Sequence, residues 1–429
     1  MPIRLIPSET ALVLGGGGAK GAYQIGAARA LDELGIRYAH AYGTSIGAMN
    51  AALLAQGDLD AAAQLWSSLR LSDVVTPESI ALAEEAEAVF SRPERMLDFI
   101  TRNAQKKGLD ATPLFSVMRS AIDENKLRES GIAFGLTATR FPSLSLVEKH
   151  LCGMAPGSVC DWLEASAACF PALPMKTIGD ERYLDGGFSD NVPIGMAVRA
   201  GARHIIAVDI GRMQAHTQVA LRPNMTYIRT SHPLGGLLTF DPVQSKRNMS
   251  LGYLDTLRAF GQLRGTRYSF DPIDAQRLRE RAQDFVCFLT AYETAMDKDG
   301  APLFSLLEEE LAPGSDAIGY FLRALELCAE MLSLDPARIY TFDAMREAIA
   351  AALPLEQARA MLGSLLGGRI GVLFAPPQPD RKIVLACLHL ILQKEGRFSS
   401  LAMHTLSAFP KELLCALTLK WIIGSEAAQ

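Results

Sequence analysis

Three small-residue clusters carry the side chains that could do chemistry. The first, Gly43-Thr44-Ser45-Ile46-Gly47, sets a serine between two glycines, after a short apolar run and before the helical stretch "AMNAALLA". Flanking glycines permit a tight strand-to-helix turn that thrusts the hydroxyl outward as a nucleophile. A serine at that place could instead serve only as a helix N-cap. The second cluster is "LGGGGAKGAYQIG" (14–26), containing Gly16-x-Gly18-x-x-Gly21 between a strand-like run and a helical one. Such a loop suits a dinucleotide pyrophosphate, with an acid about 20 residues on to hold the ribose. Its exposed backbone N–H groups suit an oxyanion equally well. Twenty residues on the chain reads "YAHAYGTS", which offers a serine elbow and no acid. The loop is therefore read as an oxyanion hole, with Gly17 and Gly18 as the donor candidates. The third cluster is Asp185-Gly186-Gly187 in "RYLDGGFSDNVPI" (182–194), read as a loop presenting Asp185 at a sheet edge, with Pro193 at a helix start.

A serine hydroxyl needs a base. His204, His216, His232, His389 and His404 all follow Asp185 in the chain, the order of a Ser–Asp–His triad. His204 opens a strand-like run, which places it at the strand end away from a site. His389 and His404 fall in a helical region, and none of the five has a distinctive context. No triad is legible.

The elements that must position these residues follow from the hydropathy pattern. "ALVL" (11–14) reads as a strand and 20–35 as a helix stopped by Gly35. A second strand leads into the elbow, followed by helices at 46–55 and 58–69. Further strands are expected at 132–139, 144–149 and 204–210, with helices near 158–168 and 193–200. Strand and helix in alternation imply an α/β fold with a mainly parallel sheet flanked by helices. Sites in such sheets form at the carboxyl ends of the strands, where both glycine motifs fall. From about residue 270 the pattern turns helical, with a break at "APPQPD" (375–380). The expected organisation is one domain over 8–265 and a helical C-terminal domain or appendage over 270–429. The charged stretch 83–107 is either a lid over the site or a solvated surface excursion.

Bulk properties narrow the classes. With 429 residues, 49% hydrophobic and 21% charged, the chain has the composition of a core-forming globular protein. A net charge of −5 gives no support to nucleic-acid binding or indiscriminate adhesion to anionic membranes. Seven cysteines without a CxxC pair read as reduced thiols, hence a cytosol-like compartment. The N-terminus lacks the layout of a secretory signal. No run reaches the roughly 18 apolar residues of a spanning helix, so a soluble protein is expected. No HExxH or EF-hand loop is present, and no metal or cofactor is expected.

In this order and at these separations, the three clusters resemble the patatin-like phospholipase family. "EASAACFPALPM" (164–175) is similar to the segment preceding its aspartate motif, and "SLGYLDTL" (250–257) to its closing helix, so the resemblance spans about residues 8–260. It implies a three-layer α/β/α fold and a Ser–Asp dyad without histidine: Ser45 as nucleophile, Asp185 as proton acceptor. The Gly16–Gly21 loop would be the oxyanion hole, Gly43 and Gly47 the elbow, and Gly186 and Gly187 the aspartate motif. Lys20 stands where the family carries Arg or Lys, as an anion contact or as a structural side chain beside the elbow. A free carboxylate with a pKa of about 3.9 is a poor base for an alcohol, and burial would narrow that gap. The implied partner is a lipid or acyl-ester substrate at a membrane surface, which makes the expected location cytoplasmic or peripheral to a membrane. Two other classes stand beside this one: a silent or autoinhibited patatin-like scaffold, and a dinucleotide-binding protein. Head group, acyl length, oligomeric state and the role of 270–429 are not legible.

Overall fold

In the computed structural model the described residues are 5–90, 109–170, 172–211, 224–271, 275–295, 303–308, 311, 315–366, 380–394 and 409–424. They fall into two compact units, Met1–Gln262 and Leu263–Gln429. The break expected at 375–380, residues 91–107 of the charged stretch, His216 and His404 lie outside the described residues, except for Asp380.

The first unit is built on one mixed sheet. β1 (Thr10–Leu14), β2 (His40–Thr44), β3 (Ala133–Phe141), β7 (His204–Val208) and β8 (Met225–Ile228) are parallel neighbours in the order β3-β2-β1-β7-β8. Every residue of β1 is buried, as expected for a parallel strand covered on both faces. On one face Ala11, Val13, Tyr42, Ile205 and Ala207 pack with Ile194, Met196 and Ala197 of the helix Ile194–Arg199. On the other, α1 (Ala22–Glu33) and the long helix Pro242–Ala259 cross closely. A Cβ on Gly26 would overlap the Met249 carbonyl, and one on Gly252 the Tyr23 carbonyl. Tyr23 Oη donates to Asp255 across this crossing at 2.6 Å. The sequence thus makes a mainly parallel sheet flanked by helices, as its alternating pattern predicts.

One part was predicted only in part. β4 (Ser145–His150) is the strand expected at 144–149, but β5 (Lys176–Ile178) and β6 (Glu181–Asp185) were not expected; all three extend the sheet with antiparallel pairs. Residues 182–185, read from sequence as loop, are the end of β6. β4 lines one edge of β3 along Gly135–Arg140. A strand has only two edges, so β2 and β6 share the other. β2 runs parallel to β3 and stops with Thr44 opposite Thr137. β6 runs the opposite way and stops with Asp185 opposite Ala138. The two strands therefore meet tip to tip, aligned by consecutive residues of β3.

The second unit is helical, with a short parallel pair, Ser269–Phe270 against Ile339–Tyr340. Its core joins Phe285, Leu289, Phe321, Leu325, Leu385 and Leu414.

Candidate functional site

The glycine loop leaves β1 and is fixed on all sides. Gly15 N–H donates to the Val208 carbonyl at 3.0 Å and Gly16 N–H to the Asn191 carbonyl at 3.1 Å. The Asn191 side-chain amide returns a bond to the Gly16 carbonyl at 3.2 Å, and Gln24 Nε2 donates to the Gly15 carbonyl at 2.7 Å. Gln24 is itself held by Asn50 (2.8 Å), which also reaches the Gly21 carbonyl (3.0 Å) and accepts from Trp66 Nε1 (2.9 Å). The next two N–H groups, of Gly17 and Gly18, meet no acceptor among the described residues. They open the 3-10 turn Gly18–Gly21 that runs into α1, where helix N-terminal donors favour negative charge.

Ser45 follows β2 and precedes α2 (Ile46–Ala55). Its backbone sits at φ 54°, ψ −126°, a region that costs a non-glycine residue on the order of 1–3 kcal/mol. The turn has no room for side chains at its flanks: a Cβ on Gly43 would overlap the Gly47 carbonyl, and one on Gly47 would lie 2.6 Å from the Gly15 carbonyl. Ser45 N–H is anchored by Ser166 Oγ at 2.8 Å. The Ser45 hydroxyl caps no backbone N–H of α2, so the N-cap alternative is not realised. A Cβ on Gly16 would stand 3.2 Å from Ser45 Cβ, which puts the glycine loop directly against the serine.

Asp185 completes the group. It is 6% exposed. Burial pushes its carboxyl from 3.8 up to about 6, against the pull of its hydrogen bonds from the Ser45 hydroxyl and the Gly187 N–H. The latter bond is 2.7 Å. Thr139 Oγ1 donates to the Asp185 carbonyl at 2.9 Å, and Asp185 N–H to the Ala168 carbonyl at 2.8 Å. A second buried carboxylate near this end of the sheet, Asp209, is committed elsewhere. It accepts from Gly211 N–H (2.8 Å) and Tyr227 Oη (2.7 Å), and Arg229 lies 3.5 Å away.

Ser45, Asp185, Gly16, Gly17, Gly18, Gly43, Gly47, Gly186 and Gly187 thus converge at one place. Gly21 packs under Trp66, at 2.6 Å from where its Cβ would be. Lys20 is buried and already engaged, so its ammonium is not displayed at the surface. His204 begins β7 opposite Thr10 at the start of β1, the end of the sheet away from Ser45. His389 belongs to the second unit, on the helix Arg381–Lys394, where its Nε2 meets Gln393 at 2.9 Å. Sequence reasoning missed Asn191, Ser166 and the chain Trp66–Asn50–Gln24. The only available signal was polar residues inside otherwise apolar helical runs, as with Asn50 in "GAMNAALLA". Among the described residues no group of three or more acids, histidines or cysteines could hold a metal ion, and no helix is long and apolar enough to cross a membrane.

Comparison with known proteins bears on the same region. Residues 12–198 match the family model described as patatin-like phospholipase. The chain is 26% identical over 316 residues to "Lysophospholipase NTE1" of Phaeosphaeria nodorum, covering 72% of this chain and 19% of that protein. It is 30% identical over 212 residues to "Patatin-like phospholipase domain-containing protein 7" of Mus musculus, covering 48% of this chain and 14% of that one. The chain thus spans less than a fifth of the length of these relatives. Among solved structures, VipD from Legionella pneumophila superposes at a TM-score of 0.37 with 16% identity, over 97% of this chain and 92% of its own. Full-length ExoU from Pseudomonas aeruginosa superposes at 0.34 with 16% identity, over 96% and 90%. Both superpositions are too loose to transfer any feature. In its ordered motifs, its sheet and the family match, the region 12–198 of this chain is similar to the patatin-like phospholipase family.

Proposed function

We propose that the protein is a serine acyl hydrolase that cleaves fatty-acyl esters of phospholipids or lysophospholipids through Ser45 and Asp185. The observation that carries this reading is the convergence of Ser45, at the strained turn after β2, with Asp185, buried at the facing tip of β6, and with the glycine loop whose Gly16 stands against Ser45. Burial also pushes the Asp185 carboxyl up to about 6. At neutral pH such a group is mostly ionised, yet far more basic than a free aspartate. The family match and the names of the relatives support an ester substrate of lipid type.

The reaction divides into two halves. Asp185 takes the Ser45 proton as Oγ attacks the ester carbonyl. The oxygen that becomes negative is met by the N–H groups of Gly17 and Gly18, which are fixed before the substrate arrives. Donors of this kind are worth about 3–4 kcal/mol each in transition-state stabilisation. The tetrahedral adduct collapses to an acyl-serine, and protonated Asp185 returns its proton to the departing alcohol. Water then attacks the acyl-serine with Asp185 again as base, and the fatty acid leaves.

The test is turnover of a short-chain p-nitrophenyl ester, and labelling by a fluorophosphonate, in wild type, Ser45→Ala and Asp185→Asn. Turnover in wild type alone, with labelling abolished in Ser45→Ala, is the expected result. Turnover that survives Ser45→Ala would refute the assignment. Phospholipid and lysophospholipid vesicles then distinguish the two substrate types.

A further inference from the structure

We propose that Glu87 is a positioning residue for the oxyanion loop, acting through a single peptide group; the inference rests on the hydrolase reading above. Glu87 lies near the end of the helix Ile80–Phe90, whose Ala83 and Ala86 are buried. Its Oε2 accepts the Leu238 N–H at 2.6 Å. Its Oε1 lies so close to Gly236 that a Cβ there would overlap it. The other end of the same peptide group, the Leu237 carbonyl, accepts the Ala19 N–H at 2.8 Å. That carbonyl also presses on Gly18, whose φ is +57° and whose place no Cβ could take.

A trans peptide points its N–H and C=O in opposite directions, so the plane between Leu237 and Leu238 is a rigid strut. Glu87 grips one end, and the glycine loop hangs from the other. Rotation of that plane would turn the Leu238 N–H toward the Ala19 N–H, donor against donor. A charged acceptor on the N–H prevents the rotation and strengthens the carbonyl as an acceptor, since hydrogen bonds in a chain polarise one another. Gly18 is one of the two residues whose N–H groups meet no acceptor among the described residues. The orientation of that donor therefore depends on Glu87, which lies 69 positions away in sequence. The geometry assigns the helix Ile80–Phe90 a task in catalysis even though no atom of Glu87 meets the substrate.

The experiment compares wild type, Glu87→Ala, Glu87→Gln and Gly236→Ala in the full chain, with Ser45→Ala as the control for the hydrolase reading. Residue-resolved amide hydrogen exchange and steady-state p-nitrophenyl ester kinetics are both read. In Glu87→Ala the Ala19 and Leu238 amides should exchange about tenfold faster or more, while amides of β7 hold their wild-type rates. The kcat should fall about tenfold to hundredfold, the scale of one hydrogen bond to a charged acceptor, with KM within about twofold. Glu87→Gln keeps an oxygen acceptor without its charge and should show a clearly smaller loss than Glu87→Ala, about threefold to tenfold in kcat. Gly236→Ala pushes the carboxylate away and should reproduce Glu87→Ala, which covers the case in which the latter does not fold. Unchanged exchange at Ala19 in Glu87→Ala would overturn the proposal whether or not wild type hydrolyses the ester. Equal kcat losses in Gln and Ala, with exchange raised throughout the unit, would overturn it in favour of a purely structural role. Wild-type turnover that does not depend on Ser45 would refute the hydrolase reading and leave the exchange data to decide the strut.

Discussion

Two buried carboxylates, one in each unit, are treated in opposite ways. Glu326, fully buried in the helix Ala317–Met331, accepts from the backbone N–H groups of Thr266, Arg267 and Tyr268 and from the Thr266 hydroxyl, with Arg323 at 3.6 Å. Its charge is matched by donors, and it pins the segment that enters the second unit. Asp185 is nearly as buried but is met by one hydroxyl and one N–H. The first carboxylate ties down structure through its donors; the second meets few, and burial pushes its carboxyl up to about 6.

That contrast can be broken at several points, beginning with the largest effect. Asp185→Asn should lower kcat/KM by about 10³- to 10⁴-fold, the scale on which losing the general base of a serine hydrolase is felt. Glu326→Ala should cost roughly 3–5 kcal/mol in denaturant unfolding, because it leaves the backbone N–H groups of Thr266, Arg267 and Tyr268 without their acceptor. Asp185→Asn should do the reverse to stability. A carboxyl whose folded pKa is about 6, against 3.8 as its ordinary value, contributes stability fully present below pH 4 and lost as the pH rises through 6. Removing the ionisable group should then stabilise the protein at pH 8 by on the order of 3 kcal/mol, fading to nothing near pH 4. Thermal unfolding of both proteins across that range checks the sign. Asn191→Ala, which cuts the tie between the aspartate motif and the Gly16 carbonyl, should reduce kcat about tenfold to hundredfold with little change in KM. Ser166→Ala, which removes the acceptor of Ser45 N–H, should have the smallest effect, a few-fold loss of fluorophosphonate labelling rate.

What could be read from sequence was the part written in local spacing. β1 with its glycine loop, and β2 with Ser45 and α2, are each contained in about a dozen residues, and the structure places them where the pattern does. β6 was not legible because "ERYLD" is short and runs straight into two glycines that signal a turn. Its strand character comes from Ala138, Thr139, Arg140 and Phe141 across the ladder. The braces were hidden for the same reason. Ser166 meets Ser45, Asn191 meets Gly16 and Glu87 meets Leu238 over separations of 121, 175 and 151 residues, and no local pattern announces such partners. The charged stretch beginning at residue 83 illustrates the point. Its composition fits a solvated surface, but Glu87 within it reaches the loop that supports Gly18 and Ala19.

The central claim is that Asp185, without a histidine, is the base for Ser45. The direct measurement is the pH dependence of the fluorophosphonate labelling rate in wild type and Asp185→Asn. The account predicts a wild-type rate that rises with pH, has its midpoint near 6, and is level above about 7. The variant should label far more slowly, with no inflection near 6. A midpoint near 6 that persists in Asp185→Asn, or a wild-type rate flat from pH 5 to 8, would contradict it.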